Sequence, residues 1–269
     1  MARNAMRTTG CAAILVASLF PIASNAQGFA ALVSPPRFEL FAKPGEKVRQ
    51  VMEITNAGAQ AAKYKLKTAD WSLAEDGAVK FDDALAPGSC RPWVAIESKQ
   101  VSVAGGGKYR YRFEISPPAD TPAGECRFAI MLEGDEQTVQ SPNGPTFPIA
   151  GRLGVIVYLT IGDAAPRLEV TSAAVAAVND APLPVIVVKN TGNAHGRITG
   201  FLSGTDASGK KIEFSPSTLP ILVGESRTIS LVPNGEKDEA VTIAYPITIK
   251  GKLEWGDRQS TPFEQTFSR

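Results

Sequence analysis

Pro145-Thr146-Phe147-Pro148-Ile149-Ala150-Gly151-Arg152-Leu153-Gly154-Val155-Ile156-Val157-Tyr158-Leu159-Thr160-Ile161-Gly162-Asp163 is a long run, too apolar to face water comfortably. Phe147, Ile149, Leu153, Val155, Val157 and Leu159 fall on one face of a period-2 strand. Its N-terminal half carries Pro148 and Gly151, residues that an interior strand normally excludes. Together these features predict an edge strand. An apolar edge left open is an aggregation hazard, so a chain that keeps one is expected to lend it to another chain by strand addition.

The N-terminus indicates the compartment. Residues 1–26 carry Arg3 and Arg7 and no acid, then the apolar run Cys11 to Ala23, then Ser24-Asn25-Ala26 before Gln27. That is the layout of a cleavable secretory signal with small residues at the cut, and the apolar run is too short to span a bilayer. Cys11 stands at the start of the run, which argues against a lipoprotein anchor. No later segment approaches the ~20 apolar residues of a transmembrane helix, so an exported, periplasmic protein without membrane insertion is expected. Loss of the two leader arginines moves the net charge from +1 to −1, and a near-neutral surface argues against nucleic acid as a partner.

Export also makes the cysteines readable. Cys90 and Cys126 remain after processing, and an even pair in an oxidising compartment points to a structural disulfide. A reactive thiol is the alternative, and it requires a polarising neighbour.

The pattern is β throughout. Lys63 to Lys67 and Lys108 to Ile115 alternate charge with aromatic or aliphatic residues, which buries one face of an antiparallel sheet and solvates the other. Further strands are expected at Val48–Thr55, Trp93–Val103 and Arg127–Glu133, separated by turn clusters such as Glu75-Asp76-Gly77 and Ala104-Gly105-Gly106-Gly107. After Gly162-Asp163-Ala164-Ala165-Pro166 the rhythm restarts, with strands expected at Arg167–Val170, Val185–Lys189, Arg197–Ser203, Ile229–Val232, Val241–Ile249 and Lys252–Trp255. The expected organisation is a leader over residues 1–26, one sandwich over 27–163 and a second over 164–269, each of about 100 residues or somewhat more. So short a linker favours a fixed bend with a cleft between the domains.

Several segments resemble one family. Val33-Ser34-Pro35-Pro36-Arg37-Phe38-Glu39-Leu40, Pro44-Gly45-Glu46 and Glu53-Ile54-Thr55-Asn56 are similar to the opening of periplasmic pilus-assembly chaperones of the PapD-like type. The match continues through Arg91-Pro92-Trp93-Val94-Ala95-Ile96, Tyr109 to Phe113 and Ala119 to Glu133, and more weakly through Val188 to Asn193. The resemblance implies an all-β chain of two immunoglobulin-like sandwiches set at an angle. It implies that the last strand of the first sandwich completes a pilus subunit that lacks a strand, until an outer-membrane usher takes the subunit over. Phe147, Ile149, Leu153, Val155 and Val157 are then the donated face, with the domain's own core as the competing destination of Val155 and Val157. The family also holds the subunit's terminal carboxylate with two basic residues, for which Arg37 and Arg152 are the candidates. Alignment on Val33-Ser34 puts Glu39, an acid, where one of those basic residues is expected, and Arg152 is opposite in phase to Leu153 unless a bulge intervenes.

Other motifs carry less. Gly204 to Lys211 spells most of a phosphate loop, but Lys211 replaces the magnesium-binding Ser or Thr and no helix pattern follows, so a hairpin turn is expected. His195 is the one histidine, lies in a turn-like Asn193-Ala194-His195-Gly196 and has no nucleophile motif beside it. With so few ligating residues, neither an enzyme nor a metal or cofactor site is expected. Two functions of different class remain: a strand-donating assembly chaperone, and a cell-envelope structural or binding module built of the same sandwiches. The complete strand set of the first domain argues against a pilus subunit itself.

Overall fold

Strands whose charged and apolar residues alternate make up the computed structural model, which describes residues 29–140, 144–235 and 241–269. The expected leader lies outside the described residues. The first half of the chain forms β1 (Ala31–Ser34), β2 (Arg37–Ala42), β3 (Val48–Asn56), β4 (Ala62–Leu73), β5 (Val79–Asp82), β6 (Val94–Ile96), β7 (Gln100–Val103), β8 (Lys108–Ile115), β9 (Gly124–Gly134), β10 (Gln137–Gln140), β11 (Thr146–Ile149) and β12 (Arg152–Ile161). The second half forms β13 (Leu168–Val178), β14 (Ala181–Asn190), β15 (Leu202–Thr205), β16 (Lys211–Pro216), β17 (Ser226–Pro233), β18 (Ile247–Trp255) and β19 (Gln259–Phe267). A 3-10 turn at Arg91–Trp93 is the one helical element among the described residues.

In the first half one sheet runs β1-β3-β8-β6 and the other β2-β12-β9-β4-β5, with β7 beside β4. With β5, β7 and the sheet-crossing β2 set aside, these are the two sheets of a constant-type immunoglobulin sandwich. In β8, Lys108, Arg110 and Arg112 face water while Tyr111, Phe113 and Ile115 are buried. They pack with Met52 and Ile54 against Phe128, Ile130, Leu132, Val155, Val157 and Leu159 of the opposite sheet. Cys90 and Cys126 form a disulfide with Cα atoms 5.8 Å apart, tying the loop before β6 to β9. In the second half β13, β14 and the start of β17 form one layer, and β16, β15, β18 and β19 the other. A separate core centred on Ile186, Val188, Phe214, Ile229, Leu231, Ile247, Ile249 and Leu253 fills this second sandwich.

Several expected elements differ in detail. The segment Val33–Leu40 is split at Pro35-Pro36, so β1 joins β3 in one sheet while β2 crosses to lie parallel to β12 in the other. Neither proline can donate to a ladder, which frees the chain to change sheets there. Trp93–Val103 is divided by the loop Glu97–Lys99, and the strand expected from Val241 begins only at Ile247, after Tyr245-Pro246. The strand expected over Arg197–Ser203 starts at Leu202, with Thr199 in a single bridge to Glu254. Gly204 to Lys211 does form a hairpin turn, between β15 and β16.

Candidate functional site

The run Pro145–Asp163 is not one edge strand. It divides into β11 and β12, and β12 is interior over its second half, paired with β9 on one side and from Ile156 to Ile161 with β2 on the other. The hairpin of β9 and β12 continues outward as β10 and β11. Where the ladders meet, Gly134 N–H donates to Gly151 O at 3.0 Å, and beyond that pair Asp135 and Glu136 face the single residue Ala150. This is a bulge, which bends the hairpin and raises its twist. Because β2 begins opposite Ile156, residues 152–155 and the whole of β11 have no strand on their outer side among the described residues. The main-chain donors and acceptors on that side, Pro148 apart, are free to pair.

The two halves treat their apolar stripe differently. Val155 and Val157 are completely buried in the first sandwich's own core, so these two expected donor side chains are spent on the domain itself, and Leu153 is half-committed to the same core. Burial on this scale stabilises by roughly 1.5–3 kcal/mol per side chain, which explains why they turn inward. Phe147 and Ile149 are each 54% exposed. Ile149 and Gly151 line one cavity of about 470 Å³ with Phe29, Asn56, Tyr64 and Gly134, so the stripe keeps one face across the break.

The two candidate anchor cations are not brought together. Arg37 stands opposite Ile156, half-exposed, with its Nε 2.9 Å from Glu39. Arg152 begins β12, four positions further along the strand and roughly 13 Å away at the usual rise. Its guanidinium lies between Asp83 at 2.5 Å and Glu133 at 3.0 Å. Lys67 binds the same two acids and holds the Asp83 carboxyl below the ordinary carboxylate range, with Arg152 adding to the effect. Gly154 lets the Phe81 ring lie on β12 from this side, since a Cβ there would sit 2.3 Å from it. This face of the sheet is therefore covered by the chain's own β5.

The junction between the sandwiches is filled as well. Leu222 of the second domain packs into a cluster with Trp71, Met131 and Tyr158 of the first. The His195 ring stacks on Tyr158 with centroids 3.9 Å apart, and its Nδ1 contacts Glu125 Oε2, which also accepts the His195 backbone N–H at 2.8 Å. Arg197 reaches Glu39 at 3.5 Å. Arg227 donates to the carbonyls of Leu73, Ala74 and Glu75 at the end of β4, the Ala74 bond measuring 2.8 Å. His195 thus has a structural task in holding the domains together, in place of the free turn residue that its local sequence indicates. Glu125, His195, Arg197 and Arg227 carry no sequence signal for this role, because their partners lie 70 or more residues away in most of these bonds. Phe29 likewise escapes a reading of the strand, since it belongs to another segment.

Among the described residues no helix is long and apolar enough to cross a membrane, and no group of metal-ligating side chains occurs. No family model matches the chain, and no curated protein matches it in sequence. Solved structures do resemble it in shape. The chain is similar to the crystal structure of the YadV chaperone at 10% identity and a TM-score of 0.47, covering 88% of this chain and 99% of that one. It is similar to the class 5 fimbriae chaperone CfaA at 12% identity and a TM-score of 0.48, covering 89% and 99%. A structure of the Salmonella enterica SafA pilin in complex with the SafB chaperone is matched at 10% identity and a TM-score of 0.45, covering 89% and 97%.

Proposed function

We propose that the protein is a periplasmic assembly chaperone that lends the outer edge of β11 and of residues 152–155 to a pilus or fimbrial subunit lacking one strand, before an outer-membrane usher receives the subunit. Residues 27–163 form the lending domain in this reading, and residues 164–269 brace it. The observation that carries it is the unpaired outer edge of the hairpin, with Phe147 and Ile149 exposed beside it. Main-chain pairing along such an edge is tolerant of sequence, while alternate apolar side chains enter the gap in the partner. No covalent bond is made or broken, so the task requires neither a catalytic residue nor a cofactor.

The reading narrows the donated face to Phe147, Ile149 and the exposed part of Leu153. Within it Arg37, at the inner end of the open stretch, is the cation within reach of a subunit's terminal carboxylate. Arg152 reaches one only by leaving Asp83 and Glu133. The test is co-expression with pilin subunits encoded beside this gene, followed by co-purification. The wild-type chain should retain a subunit and Ile149→Asp should lose it with an unchanged melting temperature, because a carboxylate would enter an apolar gap. Equal retention by the wild type and by Ile149→Asp and Phe147→Asp would remove these side chains from the interface and leave the envelope-module reading in its place.

A further inference from the structure

We infer that Phe29, from outside the lent strand, supplies the apolar side chain at the centre of the stripe that an incoming subunit meets. The inference rests on the strand-lending reading above. By the period-2 rule the positions sharing a face along the open stretch are Phe147, Ile149, Gly151 and Leu153, and the third has no side chain. The Phe29 ring occupies that place. A Cβ on Gly151 would lie 1.9 Å from Phe29 Cγ, and one on Gly134, the residue paired with Gly151, 2.7 Å from Phe29 Cδ2. Two glycines side by side on neighbouring strands therefore make a slot one ring wide, and no other residue at 151 is compatible with the ring in it.

The ring is not sealed into the domain. Phe29 is only partly buried and lines the 470 Å³ cavity together with Ile149 and Tyr64, meeting the Tyr64 ring edge-on at 6.0 Å. The Tyr64 side chain is almost wholly buried, yet its hydroxyl has no hydrogen-bond partner among the described residues. A subunit strand pairing with residues 146–155 would bring apolar side chains over Phe29 and a main-chain polar group toward that hydroxyl. Phe29 then sets the register, since the subunit position facing Gly151 meets a ring rather than an empty pocket.

The test places p-benzoylphenylalanine at position 29, 149 or 41 in the full chain, co-expressed with a pilin subunit encoded beside this gene. Cross-links to the subunit are expected from 29 and 149 and not from 41, where Phe41 is 74% exposed but stands on β2, away from the open stretch. In parallel, Phe29→Ala should weaken subunit capture about tenfold or more, as loss of a central anchor does. Gly151→Leu should weaken it by displacing the ring, and the double variant Phe29→Ala/Gly151→Leu should recover most of the loss. Capture is compared per folded molecule, with a thermal melt for each variant. A silent position 29 beside a cross-linking position 149, or capture by Phe29→Ala equal to wild type, overturns the role of Phe29 and leaves strand lending intact. Silence at 149 together with undiminished capture by Ile149→Asp overturns strand lending and this inference with it.

Discussion

The two halves of the run from Pro145 to Asp163 share one alternation of apolar residues and have opposite fates. From Ile156 onward β12 is flanked by β9 and β2, and Val157 and Leu159 lie fully buried between the sheets. Before that point the same backbone has a neighbour on one side only, and Phe147 and Ile149 face water. Periodicity thus identifies a face but not whether the face is covered. The face is covered by the opposite sheet, whereas the edge is closed by β2, a strand more than 100 residues earlier that arrives at Arg37 and no sooner.

The sharpest way to break this comparison is to place the same charge in each half. Val157→Asp should destabilise the protein by about 4 kcal/mol or more, because an unpaired carboxylate is forced into a sealed apolar core. Chemical denaturation would read this as a large fall in midpoint or as failure to fold. A loss under about 1 kcal/mol would mean that the inner half is not closed.

Next in size is the disulfide. Cys126 sits opposite Leu159 in the closed half, and the bridge closes a loop spanning 36 residues. Replacing both cysteines with serine should cost about 2–4 kcal/mol of stability. Hydrogen exchange should show the loss of protection in β9 and the inner half of β12, with β11 exchanging as before. Equal loosening of both halves would show that they open together.

Ile149→Asp comes third for stability and first for function. It should move the unfolding free energy by no more than about 0.5 kcal/mol, since the side chain is already half in water. The same variant should abolish subunit capture. A substantial fall in melting temperature would show that Ile149 serves the fold, as its deeper counterparts do.

Much of this was legible in the sequence. Lys63–Lys67 and Lys108–Ile115 announced themselves because a one-sided sheet needs charge outside and rings inside, and both lie in strands. The exposed pair Phe147 and Ile149 was legible from the prolines and glycines around it. Strands β5 and β19 were not. In β19 only Phe263 and Phe267 turn inward among polar neighbours, too few to set a rhythm. The break at Pro35-Pro36 depends on a change of sheet, which no local pattern encodes. The junction around His195 and the slot filled by Phe29 depend on residues far apart in the chain, so each side alone reads as an ordinary turn or terminus.

The smallest expected effect lies at the boundary between the halves, where Arg152 opens β12 and is held by Asp83. The Asp83 carboxyl is kept below its ordinary value, first by the Lys67 ammonium that donates to it and then by Arg152. A depressed folded-state value means that the contribution is complete above the unfolded value near 4 and is lost as pH falls through the folded one. The groups are about half exposed, so solvent screening holds the effect to about 0.3 kcal/mol. Asp83→Asn should therefore melt slightly below wild type at pH 7, and the two curves should converge as the pH drops toward 3. Salt at 1 M should narrow the gap at pH 7 for the same reason. The variant also leaves Arg152 with Glu133 as its remaining acid, freer to turn toward the open edge. If subunit capture tightens in Asp83→Asn, Arg152 is an anchor restrained by its own chain. If capture is unchanged, the ion pair only stitches β5 to the point where the strand passes from open to covered.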